Sequence, residues 1–164
     1  MGFKDVTVLL VEDHANMRVL WRTILLGFGI RKVLEAPDAT SAFEILRDDT
    51  VDVLIVDFNL EGLSGAELMR LIRRSDDMPY MIPAIACTAD TRRSTLKELV
   101  NAGVDEVLAK PVSAEQAWKK LSAVVNNRRK FVSTPLYLGP CRRRKDQHYS
   151  GPDRRKAVVE TEQD

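Results

Sequence analysis

The sequence predicts an α/β protein, a (βα)5 doubly wound parallel five-stranded sheet followed by a mostly irregular basic tail. Five short apolar runs of strand length alternate with segments whose apolar residues recur every three or four positions. The runs are nearly apolar throughout rather than alternating, as in strands covered on both faces. Helices of ten to fifteen residues separate them, which favours parallel crossovers over hairpins.

Each element follows from its local pattern. Thr7 to Val11 reads as a buried strand, after which Met17, Leu20, Trp21, Ile24, Leu25 and Phe28 share one helical face. Trp21 belongs to that core face, and Gly27 and Gly29 end the helix. A short strand around Lys32 to Glu35 precedes a helix started by Pro37, with Ala39, Ala42, Phe43 and Leu46 on one side. The third strand is Val53 to Val56. Beyond the Gly62 to Gly65 loop, Ala66, Leu68, Met69, Leu71 and Ile72 form a helix that gives out at Ser75-Asp76-Asp77. Ala84 to Cys87 is the fourth strand. A helix over Thr91 to Asn101 stops at Gly103, Glu106 to Ala109 is the fifth strand, and a last helix runs from Ser113 to Asn127. In that helix Trp118 keeps company with Leu121 and Val125, a packing position rather than a ligand platform.

Composition bounds the function. The 164 residues are 45% apolar and 30% charged, room for one domain plus an appendage. No apolar stretch is long enough to span a bilayer and the first residues lack a signal-peptide core, so a cytoplasmic protein without a membrane partner is expected. Cys87 and Cys141 do not make a disulfide framework, and Cys87 reads as a small buried hydrophobe. His14 and His148 lack a metal or catalytic pattern and read as surface residues. The net charge of +1 hides segregation: residues 1–127 hold 15 Lys/Arg against 19 Asp/Glu, and 128–156 hold 10 against 2. An acidic body carrying a basic tail points to an anionic partner for the tail, with a solvated or self-docking tail as the alternative.

Four strand ends carry chemistry. Glu12 and Asp13 follow the first strand, Asp57 the third, Thr88 the fourth, and Lys110-Pro111 the fifth. In open α/β sheets ligands bind outside the carboxyl ends of the strands, near the reversal of strand order. Each group alone has a plain explanation, an acid that caps a helix or a Lys-Pro that ends a strand. Jointly they make an acidic, cation-binding, phosphoryl-accepting pocket.

These residues, in this order and on these elements, resemble the receiver domain of two-component response regulators, the CheY-like, flavodoxin-like fold, over residues 5–127. The resemblance implies a phosphoryl-accepting signalling protein rather than an enzyme in the ordinary sense. Asp57 would take the phosphoryl group from a histidine kinase or phosphotransfer protein. Asp13 would ligate Mg2+, Glu12 would hold its waters, and Asp57 and the Asn59 backbone carbonyl would complete the set. Thr88 would donate a hydrogen bond to the phosphoryl group and Lys110 would pair with it through a cis peptide to Pro111. Asn59 and Asp90 occupy positions that tune phosphate lifetime in the family. Val107 departs from the pattern, because receivers usually place a switching aromatic there.

The segment 128–164 is expected to be an arginine-rich extension. Residues 137–145 and 149–156 repeat Tyr-x-Gly-Pro-x-Arg-Arg at an offset of twelve. Arginine forks suit phosphate and guanine edges, Asp153 suits a guanine N1 and N2 edge, and Tyr137 and Tyr149 suit stacking. The tail resembles that of the Cle group, CheY-like cyclic di-GMP effectors of the flagellar motor. It implies cyclic di-GMP as ligand, bound by Arg142, Arg143, Arg154 and Arg155. Cys141 stands in the first repeat where the second has Asp153, which breaks the equality of two half-sites. Nucleic acid or another polyanion, protein docking, or no specific ligand remain alternatives for the tail. No helix-turn-helix follows the receiver, so nucleic acid is disfavoured. Two readings of the whole chain stay open: a phosphorelay receiver signalling to a protein target such as a motor component or a kinase, and a cyclic di-GMP-controlled adaptor at the flagellar motor in which phosphorylation is secondary.

Overall fold

The structure is a computed structural model that describes residues 3–143 and the backbone of 157–159. A short 3-10 turn, Phe3–Asp5, precedes the five repeating units: β1 Thr7–Val11, α1 Ala15–Gly27, β2 Lys32–Ala36, α2 Ala39–Asp48, β3 Val53–Asp57, α3 Gly65–Arg74, β4 Ala84–Thr88, α4 Arg93–Asn101, β5 Glu106–Ala109 and α5 Ala114–Asn126. The strands are all parallel, in the order β2-β1-β3-β4-β5. Order reverses at β1, so the crevice lies between the carboxyl ends of β1 and β3.

Alternation along the strands builds two cores. Leu9, Val11, Leu54, Val56, Ala84 and Ala86 face α2, α3 and α4. Val8, Leu10, Val53, Ile55, Ile85, Cys87 and Leu108 face α1 and α5, where Trp21, Leu25, Ala117 and Leu121 meet them. Trp118 is half exposed and stacks edge-on against Phe3 and Phe28.

Helix ends match their chemistry with one shift. Ser64 and Glu67 form a reciprocal capping box at α3, and Ser113 caps α5. Helix α2 begins at Ala39 with Asp38 as its cap, so Pro37 lies outside the first turn in which the sequence places it. Asp38 wins because its carboxylate accepts the Ser41 N–H at 2.7 Å, satisfying a donor that the helix start leaves open.

The largest difference follows α5. The segment expected to be mostly irregular forms a second, antiparallel sheet in the order β7-β6-β8, from β6 Phe131–Thr134, β7 Tyr137–Pro140 and β8 Ala157–Val159. The β6–β7 hairpin packs on the amino end of the parallel sheet, and the buried Phe131 and Val132 supply its apolar contact. Gly103 and Gly139 permit the approach. A Cβ on Gly139 would lie 2.7 Å from the Gly103 Cα, and one on Gly103 would lie 2.7 Å from the Leu138 carbonyl oxygen. Gly103 also has φ +91°, a left-handed conformation that suits glycine.

Arg73 pins this junction. Its guanidinium is 2% exposed and donates to the carbonyls of Gly103 at 2.8 and 3.0 Å, Tyr80 at 2.6 Å and Ile82 at 2.7 Å. Asp105 stands 3.4 Å away and the Phe131 ring covers its face at 5.4 Å. Burial pushes its pKa down to about 10 against the opposing pull of Asp105, still far enough above neutrality to keep the charge. Arg128 and Arg129 continue the same theme, donating to the carbonyls of Met81 and Asp105.

Candidate functional site at the carboxyl end of the sheet

Strand register brings the polar groups together. Asp57 pairs in register with Cys87, which sets Thr88 one step beyond on the neighbouring strand, and Thr88 pairs with Ala109, which sets Lys110 next. The backbone continues the ladder past the strands, with Lys110 N–H donating to the Thr88 carbonyl at 2.8 Å and Phe58 N–H to the Cys87 carbonyl at 2.8 Å. The Lys110-Pro111 peptide is cis, as the resemblance implies.

Lys110 Nζ lies 3.0 Å from Asp57 Oδ1 and 3.4 Å from Glu12 Oε2. Burial works against its ammonium, but these two carboxylates outweigh it and its pKa is raised. Glu12 and Asp57 are buried. Among the described residues, Asp57 Oδ1 and Asp13 Oδ1 lack a hydrogen bond of proper geometry, despite charged neighbours within ion-pair distance. Orphaned buried oxygens of this kind are costly unless another group meets them.

The residues fit a hard divalent cation. Ligand atoms of Glu12, Asp13, His14 and Asp57 all lie within 4.8 Å of one another. Beside them a cleft of about 450 Å3, lined by Asp13, Asn59, Glu61 and Ser64 among others, leaves space for the waters such an ion retains. Asn59 is exposed at this cleft, on the loop after β3.

Thr88 is fully buried, and its hydroxyl is engaged locally. It donates to the Asp90 carbonyl at 3.2 Å and accepts the Asp90 N–H at 3.0 Å. Asp90 in turn accepts the Arg92 guanidinium at 2.6 to 3.0 Å and the Thr95 hydroxyl at 2.7 Å. The Arg92 hydrogen bonds, then Thr95, hold the Asp90 carboxyl well below the usual carboxylate range. Glu12, Asp13, Asp57 and Lys110 therefore converge, while Thr88 stands at the adjacent strand end turned to the β4–α4 loop. Val107 is half buried and packs on the α2–α4 core.

Several contributors escape a reading of the sequence. His14, which that reading assigns to the surface, is 70% exposed in its side chain yet sits on the acidic rim, with Nδ1 2.7 Å from Asp13 Oδ1 and 3.1 Å from Glu12 Oε1. The Glu12 hydrogen bond and the Asp13 charge raise its pKa. Arg18 donates to the carbonyls of Glu12 at 2.8 Å and Asp13 at 3.1 Å, fixing the loop from below. Gly65 lets α3 begin directly against the Asp57 backbone: a Cβ there would lie 2.3 Å from the Asp57 carbonyl oxygen. No local signal marks Gly65, because it meets a backbone segment brought near by the fold, whereas His14 turns to its own sequence neighbours Glu12 and Asp13.

The arrangement is matched by known proteins. Residues 8–122 match the response regulator receiver domain family. The chain belongs to that family. This receiver is 29% identical to the chemotaxis protein CheY of Pseudomonas aeruginosa over 117 residues, which cover 71% of the chain and 94% of that relative. It is 28% identical to CheY-3 of Vibrio cholerae, over 74% of the chain and 92% of the relative. Among solved structures it is similar to the chemotaxis response regulator CheY4 of Vibrio cholerae, at a TM-score of 0.67 and 26% identity over 73% of the chain and 98% of that structure. It is also similar to the magnesium-bound receiver domain of a sensor histidine kinase from Pseudomonas aeruginosa, at a TM-score of 0.64 and 26% identity over 71% and 94%.

The receiver's tail residues distribute unevenly. Tyr137 is buried, its hydroxyl donating to the Pro140 carbonyl at 2.7 Å and its ring covered by the Arg142 guanidinium at 4.1 Å. It therefore serves the hairpin instead of presenting an open stacking face. Arg142 is exposed and donates to Asn101 Oδ1 at 2.9 Å, and Arg143 is exposed. Tyr149, Asp153, Arg154 and Arg155 lie outside the described residues. Among the described residues, no helix is long and apolar enough to cross a membrane.

Proposed function

We propose that this receiver accepts a phosphoryl group on Asp57 from the phosphohistidine of a sensor kinase or phosphotransfer protein and signals by protein–protein contact. The carrying observation is the buried Asp57 Oδ1, which has the Lys110 ammonium at 3.0 Å and no further partner among the described residues. A carboxylate oxygen attacks phosphorus, the phosphorus–nitrogen bond of the phosphohistidine breaks, and the imidazole leaves with the bonding pair and takes up a proton. Glu12, Asp13, Asp57 and the Asn59 backbone would hold Mg2+, which supplies charge neutralisation for a transfer into a crowded carboxylate site. Lys110 is placed to pair with the phosphoryl oxygens once Asp57 carries them. Thr88 would have to exchange its Asp90 partner for the phosphoryl group, a local rearrangement that α4, held through Thr95, would feel. With Val107 in the usual aromatic position, the change would be transmitted by the β4–α4 loop itself.

The test is labelling with radioactive acetyl phosphate and Mg2+. The native chain takes up an acid-stable, base-labile label, and Asp57→Asn takes up none. Undiminished labelling of Asp57→Asn would reject the assignment.

A second reading concerns the tail, as a cyclic di-GMP site built from Arg142, Arg143, Asp153, Arg154 and Arg155. The exposed guanidinium of Arg142 at the end of the hairpin favours it, since its fork suits a phosphodiester. Titration calorimetry with cyclic di-GMP, against GTP and the Arg154→Ala, Arg155→Ala double variant, decides it: binding no tighter than GTP, or equal binding by the variant, removes the reading.

A further inference from the structure

At the end of the molecule opposite Asp57, the hairpin does not close fully on α3. A groove of about 590 Å3 remains between α3, the end of α4 and the β6–β7 turn. Arg70 and Arg74 line it from α3, Arg142 from the hairpin, and Ser133 and Thr134 from β6, the Thr134 hydroxyl being engaged with Tyr137 in the turn. One exposed leucine lines this cationic channel, and a second lies exposed on the helix beside it. Leu136 at the hairpin tip is 95% exposed, and Leu71, between Arg70 and Arg74 in sequence, is 50% exposed. Neither leucine serves the core, and exposed leucines beside arginines are the composition of a contact surface.

We propose that this groove docks an acidic, leucine-bearing segment of a partner protein. Charge complementarity selects acidic groups. Arg73 is committed to carbonyls and forms the floor, whereas Arg74 is exposed and Arg70, among the described residues, makes a 3.6 Å pair with Glu98 in which both side chains are over a third exposed. Such a pair exchanges readily for a new carboxylate. The surroundings favour a peptide over a compact anion. Helices α3 and α4 both end here, so the negative ends of two helix dipoles face the groove. A peptide brings backbone N–H donors for those negative ends, carboxylates for the arginines and an apolar side chain for Leu136. A phosphate brings only negative charge. The surface is remote from the phosphoryl-accepting pocket, so it is available whatever the state of Asp57, and the proposal does not depend on the function argued above.

The experiment is selection of a random 16-residue peptide library on the full chain, with the enriched peptides synthesised and their affinities measured by fluorescence anisotropy. Enriched sequences should combine Asp or Glu with Leu-type residues, and binding should weaken at least tenfold for Arg70→Glu, Arg74→Glu and at least threefold for Leu136→Ser. These positions lie outside the buried core and leave the fold intact, which circular dichroism checks. No enrichment, or enriched peptides that bind the variants as well as the native chain, would overturn the proposal. Displacement by pyrophosphate together with insensitivity to Leu136→Ser would replace it with a small-anion site. Enrichment that appears only after Glu160→Gln, Glu162→Gln and Asp164→Asn would show that the chain's own terminus fills the groove and would also overturn it.

Discussion

The two ends of the parallel sheet each hold a cation, half-buried Lys110 at one and buried Arg73 at the other, and they use it in opposite ways. At the carboxyl end Lys110 stands among Glu12 and Asp57, and buried carboxylate oxygens are left without hydrogen bonds. At the amino end Arg73 donates to three carbonyls and stacks on Phe131. The first set keeps unsatisfied capacity for something that arrives. The second is closed, and its satisfaction is structural. The contrast teaches that burial of charge alone does not mark a site; unmet polar atoms do.

Breaking the closed end has the largest expected effect on stability. Arg73→Ala leaves the Gly103, Tyr80 and Ile82 carbonyls without their donor and detaches the hairpin, and the loss is about 3 to 5 kcal/mol, the range for breaking a buried charge network. Urea denaturation measures it. A loss below about 1 kcal/mol would show that the hairpin is not held through Arg73.

Gly139→Ala attacks the same junction by overpacking. Its Cβ meets backbone at 2.7 Å, so a loss of roughly 1 to 3 kcal/mol is expected. Unchanged stability would mean that the hairpin can move away freely.

The open end behaves in reverse. Asp57→Asn removes one of the clustered carboxylates and should leave the melting temperature unchanged or raised while abolishing labelling by acetyl phosphate. Mg2+ sharpens the same contrast: by mass action it should stabilise the native chain by about 2.7 kcal/mol at a hundredfold excess over its dissociation constant, and so raise its melting temperature. Asp13→Asn should lose most of that increment, and Arg73→Ala should lose none in proportion to its own baseline. Equal Mg2+ response in Asp13→Asn would exclude Asp13 as a ligand.

The smallest effect lies at the exposed Asp90–Arg92 pair. The folded-state pKa of Asp90 is depressed, so its contribution is present above the ordinary carboxylate pKa of about 4 and is lost as pH falls through the lower folded value. The stability difference between the native chain and Asp90→Asn should therefore be small at pH 7 and absent in strong acid. A difference that grows on acidification would reverse the sign.

Much of the receiver was legible because its signals are local. The apolar runs of β1, β3 and β4 and the three- and four-residue spacing in α1 and α3 depend on near neighbours, and Asp13, Asp57 and Lys110 follow strands whose ends any parallel sheet must gather at one edge. The hairpin was not legible, since Phe131–Thr134 and Tyr137–Pro140 are four residues each and sit among arginines that read as a solvated tail. One clue was available. Arg73 falls four residues after Met69 on the buried face of α3, and a charge at a core spacing requires partners from elsewhere.

From the sequence alone came the order of strands and helices, the identity of the acids and lysine at the strand ends, and the charge division between body and tail. Only the tertiary structure decided that Thr88 is turned to Asp90, that His14 joins the acidic rim, that Gly65 must admit the Asp57 carbonyl, and that Gly103 and Gly139 let the hairpin close on the sheet. The reason is physical. Periodicity is a property of neighbouring residues, whereas the loop conformations that turn Thr88 to Asp90 and His14 to Asp13, and the close approaches at Gly65, Gly103 and Gly139, are set by how the whole chain packs.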